Sequence, residues 1–274
     1  MENFFEMLSY PFMLRALIVG GLVALCSSLL GVSLVLKRCS MIGDGLSHVA
    51  FGALAAATAL GSAPMAVTIP VVVIAAVLLL KLSENSRIKG DAAIALISAG
   101  ALAIGVMILS FSSGVNIDVF NYLFGSILAI SRNDVALSVI LSLTVLVAYI
   151  LLYSRIFAVT FDENFARATG TPAGAYDLIL AVLTAVTIVL GMRLMGALLI
   201  SSLIIFPPLS SMRCFGSFRS VVISSAVLSV ICFAVGLTIS YFFSAPAGAS
   251  IVCVNIAAFA LSTLCGVLRR RSAK

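Results

Sequence analysis

Apolar blocks of about 17 to 25 residues recur along this chain, the length at which a helix crosses a bilayer core of roughly 30 Å. Such blocks constrain the fold more than any motif does. They lack the polar stripe that a surface helix of a soluble protein keeps. A backbone in lipid must satisfy its own hydrogen bonds, so spans of this length are helices. A membrane β-barrel would instead show alternating segments of about ten residues, and the sequence has none. Composition agrees, with 62% of the 274 residues hydrophobic and 9% charged, against about a quarter charged in a soluble domain. The expected fold is an all-α integral membrane protein, a bundle of eight or nine transmembrane helices forming one domain over 1–274.

Block by block, helices are predicted near 12–36, 43–61, 64–82, 92–111, 135–153, 177–192, 194–210, 221–243 and 247–268. The sixth and seventh are short and separated only by Arg193, so eight remains a possible count. The stretch Asp118–Ile130 is too short to span and is expected to lie at the interface or re-enter. The first block is too long for a signal-peptide core and lacks a small-residue cleavage site, so it is expected to be retained. No Gly-rich loop ending in Gly-Lys-Ser/Thr is present, so ATP hydrolysis is not expected of this chain.

Basic residues mark the cytoplasmic side of a membrane protein. If the C-terminal tail is cytoplasmic, nine alternating spans place Lys37, Arg38, Lys81, Arg87, Lys89, Arg155, Arg167, Arg213, Arg219, Arg269, Arg270, Arg271 and Lys274 inside. Only Arg15, Arg132 and Arg193 of the 16 Lys and Arg then fall outside or at outer helix ends. The net charge of +6 thus expresses topology, and no basic folded surface suited to nucleic acid is expected. The six cysteines form no C-x-x-C pair and read as small packing residues.

Ionisable side chains inside a span are costly and are functional candidates by default. The densest group is MIGDGLSHVAFG, residues 41–52. Asp44 and His48, four apart, share one helical face, and carboxylate with imidazole suits zinc, manganese or iron. His48 is the only histidine. The alternative is that Asp44 caps the helix and His48 packs as a polar residue. Asp91 and Asp177 both read as helix-start residues, with Asp91 also a candidate ligand. Asn116 and Asp118 read as a solvated outer loop. In FDENFARATGTPAGAYD, residues 161–177, Asp162 and Glu163 open a short helix through Ala168 that Gly170 and Pro172 stop. Phe165 is then an apolar knob, resting on headgroups or docking into a soluble partner.

These residues carry a resemblance. KRCSMIGDGLSH at 37–48, DAAIALISAGALAIGV at 91–106, NYLFGSILAISRNDV at 121–135, FDENFARATG at 161–170, MGALLISSLIIFPPLSS at 195–211 and SYFFSAPAGASIVCVN at 240–255 occur in order. Together they resemble the permease subunits of the zinc/manganese/iron ABC importers, nearest to the zinc type. The resemblance implies the ABC importer permease fold in the cell membrane. It implies two permease copies around a path, a separate pair of ATPase subunits below, and an extracytoplasmic solute-binding protein that delivers the metal. Asp44 and His48 would contact the ion in the pathway. Asp162, Glu163, Phe165, Ala166 and Arg167 would form the coupling helix that meets the ATPase. No bound cofactor is implied, only a transported divalent metal: zinc, or manganese or iron. Where many relatives carry an acidic residue before the PAG turn, this chain has Phe243, Ser244 and Ala245. An ion-coupled secondary transporter would need paired broken helices at the midplane, and an intramembrane metalloenzyme three protein ligands and a base; the sequence offers neither pattern.

Overall fold

With no water to hydrogen-bond an exposed backbone, the apolar blocks close their own hydrogen-bond ladders as helices. The structure is a computed structural model that describes residues 9–85, 90–112, 125 and 132–272. Among these it has nine long helices and one short one. They are α1 (Pro11–Leu36), α2 (Ile42–Ala59), α3 (Pro64–Asn85), α4 (Gly90–Phe111), α5 (Arg132–Phe161), α6 (Glu163–Ala168), α7 (Ala173–Met195), α8 (Ala197–Cys214), α9 (Phe218–Phe243) and α10 (Ala247–Ser272). Eight are long and apolar enough to cross a membrane. The ninth long helix, α2, is the one that carries Asp44 and His48. Of the segment 118–130 only Gly125 is described, so its expected interfacial placement lies outside the described residues.

Two boundaries differ from the sequence reading. α5 runs to Phe161 rather than stopping near 153, because Phe157 and Phe161 pack on Phe218 at the start of α9, with ring centroids 5.0 and 5.9 Å away. α7 begins at Ala173, four residues before Asp177, and its N-cap, Pro172, makes no side-chain cap. Asp177 is therefore not a helix-start residue. The break between α7 and α8 falls at Gly196, where φ is 88°, a left-handed conformation that glycine adopts without steric cost.

α1 and α7 form the centre of the bundle: 72% of each one's most apolar window is buried, against 17% in α4 and α10. The outer helices turn large apolar residues outward, such as Leu96, Ile104 and Met107 on α4 and Leu261 and Leu264 on α10, as lipid requires. The inner contacts rest on small residues, which let membrane helices approach closely. α8 contains Pro207 and Pro208, which cannot donate to the carbonyls of Leu203 and Ile204 one turn earlier. The backbone of α1 covers this break: a Cβ on Gly31 would lie 2.1 Å from the Ile204 carbonyl oxygen. Ile204 also reaches α2, where a Cβ on Gly43 would stand 3.0 Å from its Cδ1. On the other side of α2, a Cβ on Gly52 would meet the Ala101 carbonyl oxygen of α4 at 2.6 Å. The helix bearing Asp44 and His48 is thus wedged between α8 and α4.

Gly31→Ala drives a methyl group into backbone that cannot yield, whereas a Cβ on Gly100 meets nothing within 4 Å. Gly31→Ala is expected to cost about 1–3 kcal/mol and lower the melting temperature of the detergent-solubilised chain. Gly100→Ala should hold or slightly raise it, alanine being the better helix former. Equal melting temperatures for the two variants would contradict the packing described.

Candidate functional site

Asp44 occupies the third position of α2, yet its carboxylate does not cap the helix: the N-cap is Met41, and no side chain serves there. The carboxylate instead faces one turn forward, with Asp44 Oδ2 3.6 Å from His48 Nε2. That exceeds a direct hydrogen bond. It is close to the roughly 3.4 Å that separates two ligand atoms on a tetrahedral zinc with bonds of about 2.0–2.1 Å. The pair also lies on the strip of α2 that the bundle leaves uncovered. Asp44's side chain is 46% exposed and His48's 23%, while Leu46, Ser47 and Ala50 beside them are fully buried. His48 Nδ1 is itself buried, with no hydrogen-bond partner among the described residues. A cation placed here meets one carboxylate and one imidazole. No third His, Cys, Asp or Glu joins them among the described residues.

Asp91 stands in the first turn of α4, and its side chain lies outside the described residues. The turn after it packs near Asp44, since a Cβ on Gly45 would lie 2.6 Å from Ile94 Cγ2.

α6 has the ends that its sequence predicts. Asp162 is the N-cap, its Oδ1 accepting from the Phe165 amide at 2.9 Å. Gly170, at φ 82°, closes the other end in a Schellman turn, with Thr171 N donating to Ala166 O at 2.9 Å and Gly170 N to Arg167 O at 3.0 Å. Glu163 pairs with Arg167 at 2.5 Å. Ala166, 1% exposed, anchors the helix against Val159 and Ala173. Phe165 stands out at 64% exposure. A six-residue helix that hides an alanine and displays a phenylalanine is a knob fixed at its base.

One feature of the charged set was not legible beforehand. Lys37 Nζ donates to Asp177 Oδ1 across 140 residues of sequence, joining the end of α1 to the second turn of α7. Asp177 is buried. A signal for this existed: Ala173, Leu180 and Ala181, which share its helical face, are all apolar, and a carboxylate in such a stripe calls for a counter-ion.

The ABC 3 transport family matches the chain over residues 9–266. The manganese transport system membrane protein MntC of Halalkalibacterium halodurans is 29% identical over 94% of this chain and 89% of its own length. The high-affinity zinc uptake system membrane protein ZnuB of Haemophilus influenzae is 30% identical over 92% of this chain and 97% of its own. Among solved structures, PsaBC from Streptococcus pneumoniae in complex with Fab superposes with a TM-score of 0.85 at 28% identity, covering 95% of this chain and 94% of that one. An inward-facing metal-chelate type ABC transporter shares the fold, with a TM-score of 0.71 at 17% identity.

The capping of α6 can be tested without reference to any relative. Asp162→Ala should cost the short helix about 1 kcal/mol, whereas Asp162→Asn should cost little, since Asn caps nearly as well. Where local opening is fast relative to cleavage, that loss raises tryptic cleavage after Arg167 roughly fivefold. Equal cleavage of the alanine variant and the wild type would mean that the cap does not hold the helix.

Proposed function

The chain belongs to the ABC 3 transport family, and from that premise we propose that it is the permease subunit of an ATP-driven importer of a divalent metal ion, zinc first, with manganese or iron as the alternatives. The observation that carries the reading is the Asp44–His48 pair: two metal-ligating side chains, 3.6 Å apart, on the open strip of an otherwise buried helix. Two donors hold an ion loosely, and a transport site must release what it binds. Relatives named for zinc and for manganese are about equally similar, which supports the class of cargo more than its identity. Oxygen and nitrogen donors accept either metal.

In this reading the exposed strip faces the path, and a second copy of the chain closes the other side of it. A separate pair of ATPase subunits docks against α6, with Phe165 seated in the partner. An extracytoplasmic solute-binding protein supplies the ion. The C-terminus and α6 lie on the cytoplasmic side of the cell membrane, where the basic residues concentrate. ATPase closure moves α6, and the helices tilt so that the ion meets Asp44 and His48 in one state and leaves them in another. Such a cycle needs the pair to bind metal better in the first state than in the second. Asp91 is a further candidate ligand at the start of α4.

Uptake of radioactive zinc and manganese by cells expressing the chain with its partners tests the reading. Asp44→Asn and His48→Ala should each lower uptake by about tenfold or more, the lower end of what loss of even an outer-shell partner costs a metal site, at unchanged membrane abundance. Wild-type uptake by Asp44→Asn would remove the carboxylate from the path. For the knob, Phe165→Ala should lose most of its copurification with the ATPase while the permease stays folded; undiminished copurification would leave α6 as a membrane-surface element.

A further inference from the structure

The buried ion pair lies between the proposed docking helix and the helix that carries Asp44 and His48, and the chain on either side of it is stiff. Lys37 is the C-cap of α1. It opens a Schellman turn in which Cys39 N donates to Leu34 O at 2.8 Å and Arg38 N to Val35 O at 3.1 Å. Arg38 takes the left-handed conformation at φ 59°, which costs a side-chain-bearing residue roughly 1–2 kcal/mol. α2 begins four residues later, at Ile42. Asp177 is reached from α6 through the second Schellman turn, at Thr169–Thr171, and the start of α7, where Ala173 packs on Ala166. Two tight turns therefore run from α6 to Asp177 and from Lys37 to α2, and the ion pair joins them.

The pair also has somewhere to go. Lys37, Asp177 and Glu163 line one cleft of about 360 Å³, together with Cys39, Ile42 and Phe161. Glu163 belongs to α6 and now pairs with Arg167. One cation, Lys37, and two carboxylates thus line one space, and Arg167 pairs with the second carboxylate, so Lys37 has an alternative partner within the same cleft. Taking an ion pair out of water costs about as much as its attraction returns, so stability alone is a weak reason for such a pair here. A switching role is among the better attested uses of buried polar groups.

We propose that Lys37 and Asp177 are a positioning pair that transmits movement of α6 to α2, with Glu163 as the second carboxylate to which Lys37 passes when α6 shifts. The pair touches no cargo. It sets where the Asp44–His48 helix begins relative to α7, and α6 moves that reference point. The inference rests on the transport reading above and deepens it.

The full chain, assembled with its ATPase subunit in proteoliposomes and supplied with its solute-binding protein, tests this through two rates: uptake of radioactive zinc, manganese or iron, and ATP hydrolysis. Lys37→Met and Asp177→Asn should lower the metal moved per ATP by about tenfold, within the usual range of an intersite coupling, while hydrolysis continues. The swapped double variant Lys37→Asp/Asp177→Lys should recover most of the loss. Glu163→Gln leaves the buried pair intact and should also lower the ratio, read per assembled complex so that any loss of docking is divided out. A static clamp predicts otherwise: the single variants lose abundance and melting temperature, both rates fall together, and Glu163→Gln keeps the wild-type ratio. That pattern overturns the proposal. If the wild type moves none of the three metals, the transport reading falls and takes the pair's role with it; if the wild type transports and all the ratios match it, only the pair's role falls.

Discussion

Lipid offers the backbone no hydrogen-bond partner, and the rest of this structure answers to that constraint. It turns the apolar blocks into helices, and it leaves their association to close packing, since lipid tails are as apolar as leucine. Hence glycine backbone lies against carbonyl oxygen at Gly31–Ile204 and Gly52–Ala101. The same constraint makes the break at Pro207–Pro208 tolerable only because a neighbouring helix covers it. That covered break also touches α2 through Gly43, so the packing that repairs α8 places the helix of Asp44 and His48.

Against this apolar background the few ionisable groups are informative. Asp44 and His48 sit in the first two turns of α2. Lys37, Asp177 and Glu163 line one cleft, so the end of α1, the end of α5 and the starts of α6 and α7 lie together, as alternating spans require of residues on one side of the membrane. The proposed path and the proposed coupling machinery are thereby neighbours. A displacement of α6 need not cross the whole bundle to reach α2; it need only pass the turn at Lys37. Coupling through a short chain of rigid turns needs a two-state element to be physical, and the exchange of Lys37 between Asp177 and Glu163 is the proposed one.

Much of the fold was legible because the signals were long and strong. All nine blocks became helices, and α6 took its extent from Asp162, Gly170 and Pro172, each of which has a definite local chemistry. Boundaries slipped where tertiary contacts decided them: Phe157 and Phe161 extend α5 because Phe218 receives them, and nothing near 153 announces that. Asp177 was misread for the same reason, since a helix-start residue and a buried ion-pair partner look alike until the counter-ion, 140 residues away, is seen. The adjacency of Asp44 and His48 followed from helical spacing alone. The release of Asp44 from a capping role did not, because it depends on where α2 begins.

The central claim is that the ion binds through this pair, and His48 is the chain's only histidine. Imidazole scattering in the X-ray absorption spectrum of the zinc-loaded full chain, purified through a tag free of histidine, can therefore come from one residue. The account predicts a first shell of nitrogen and oxygen with imidazole scattering that disappears in His48→Ala. A sulfur-containing shell, or a wild-type spectrum without imidazole scattering, would contradict it.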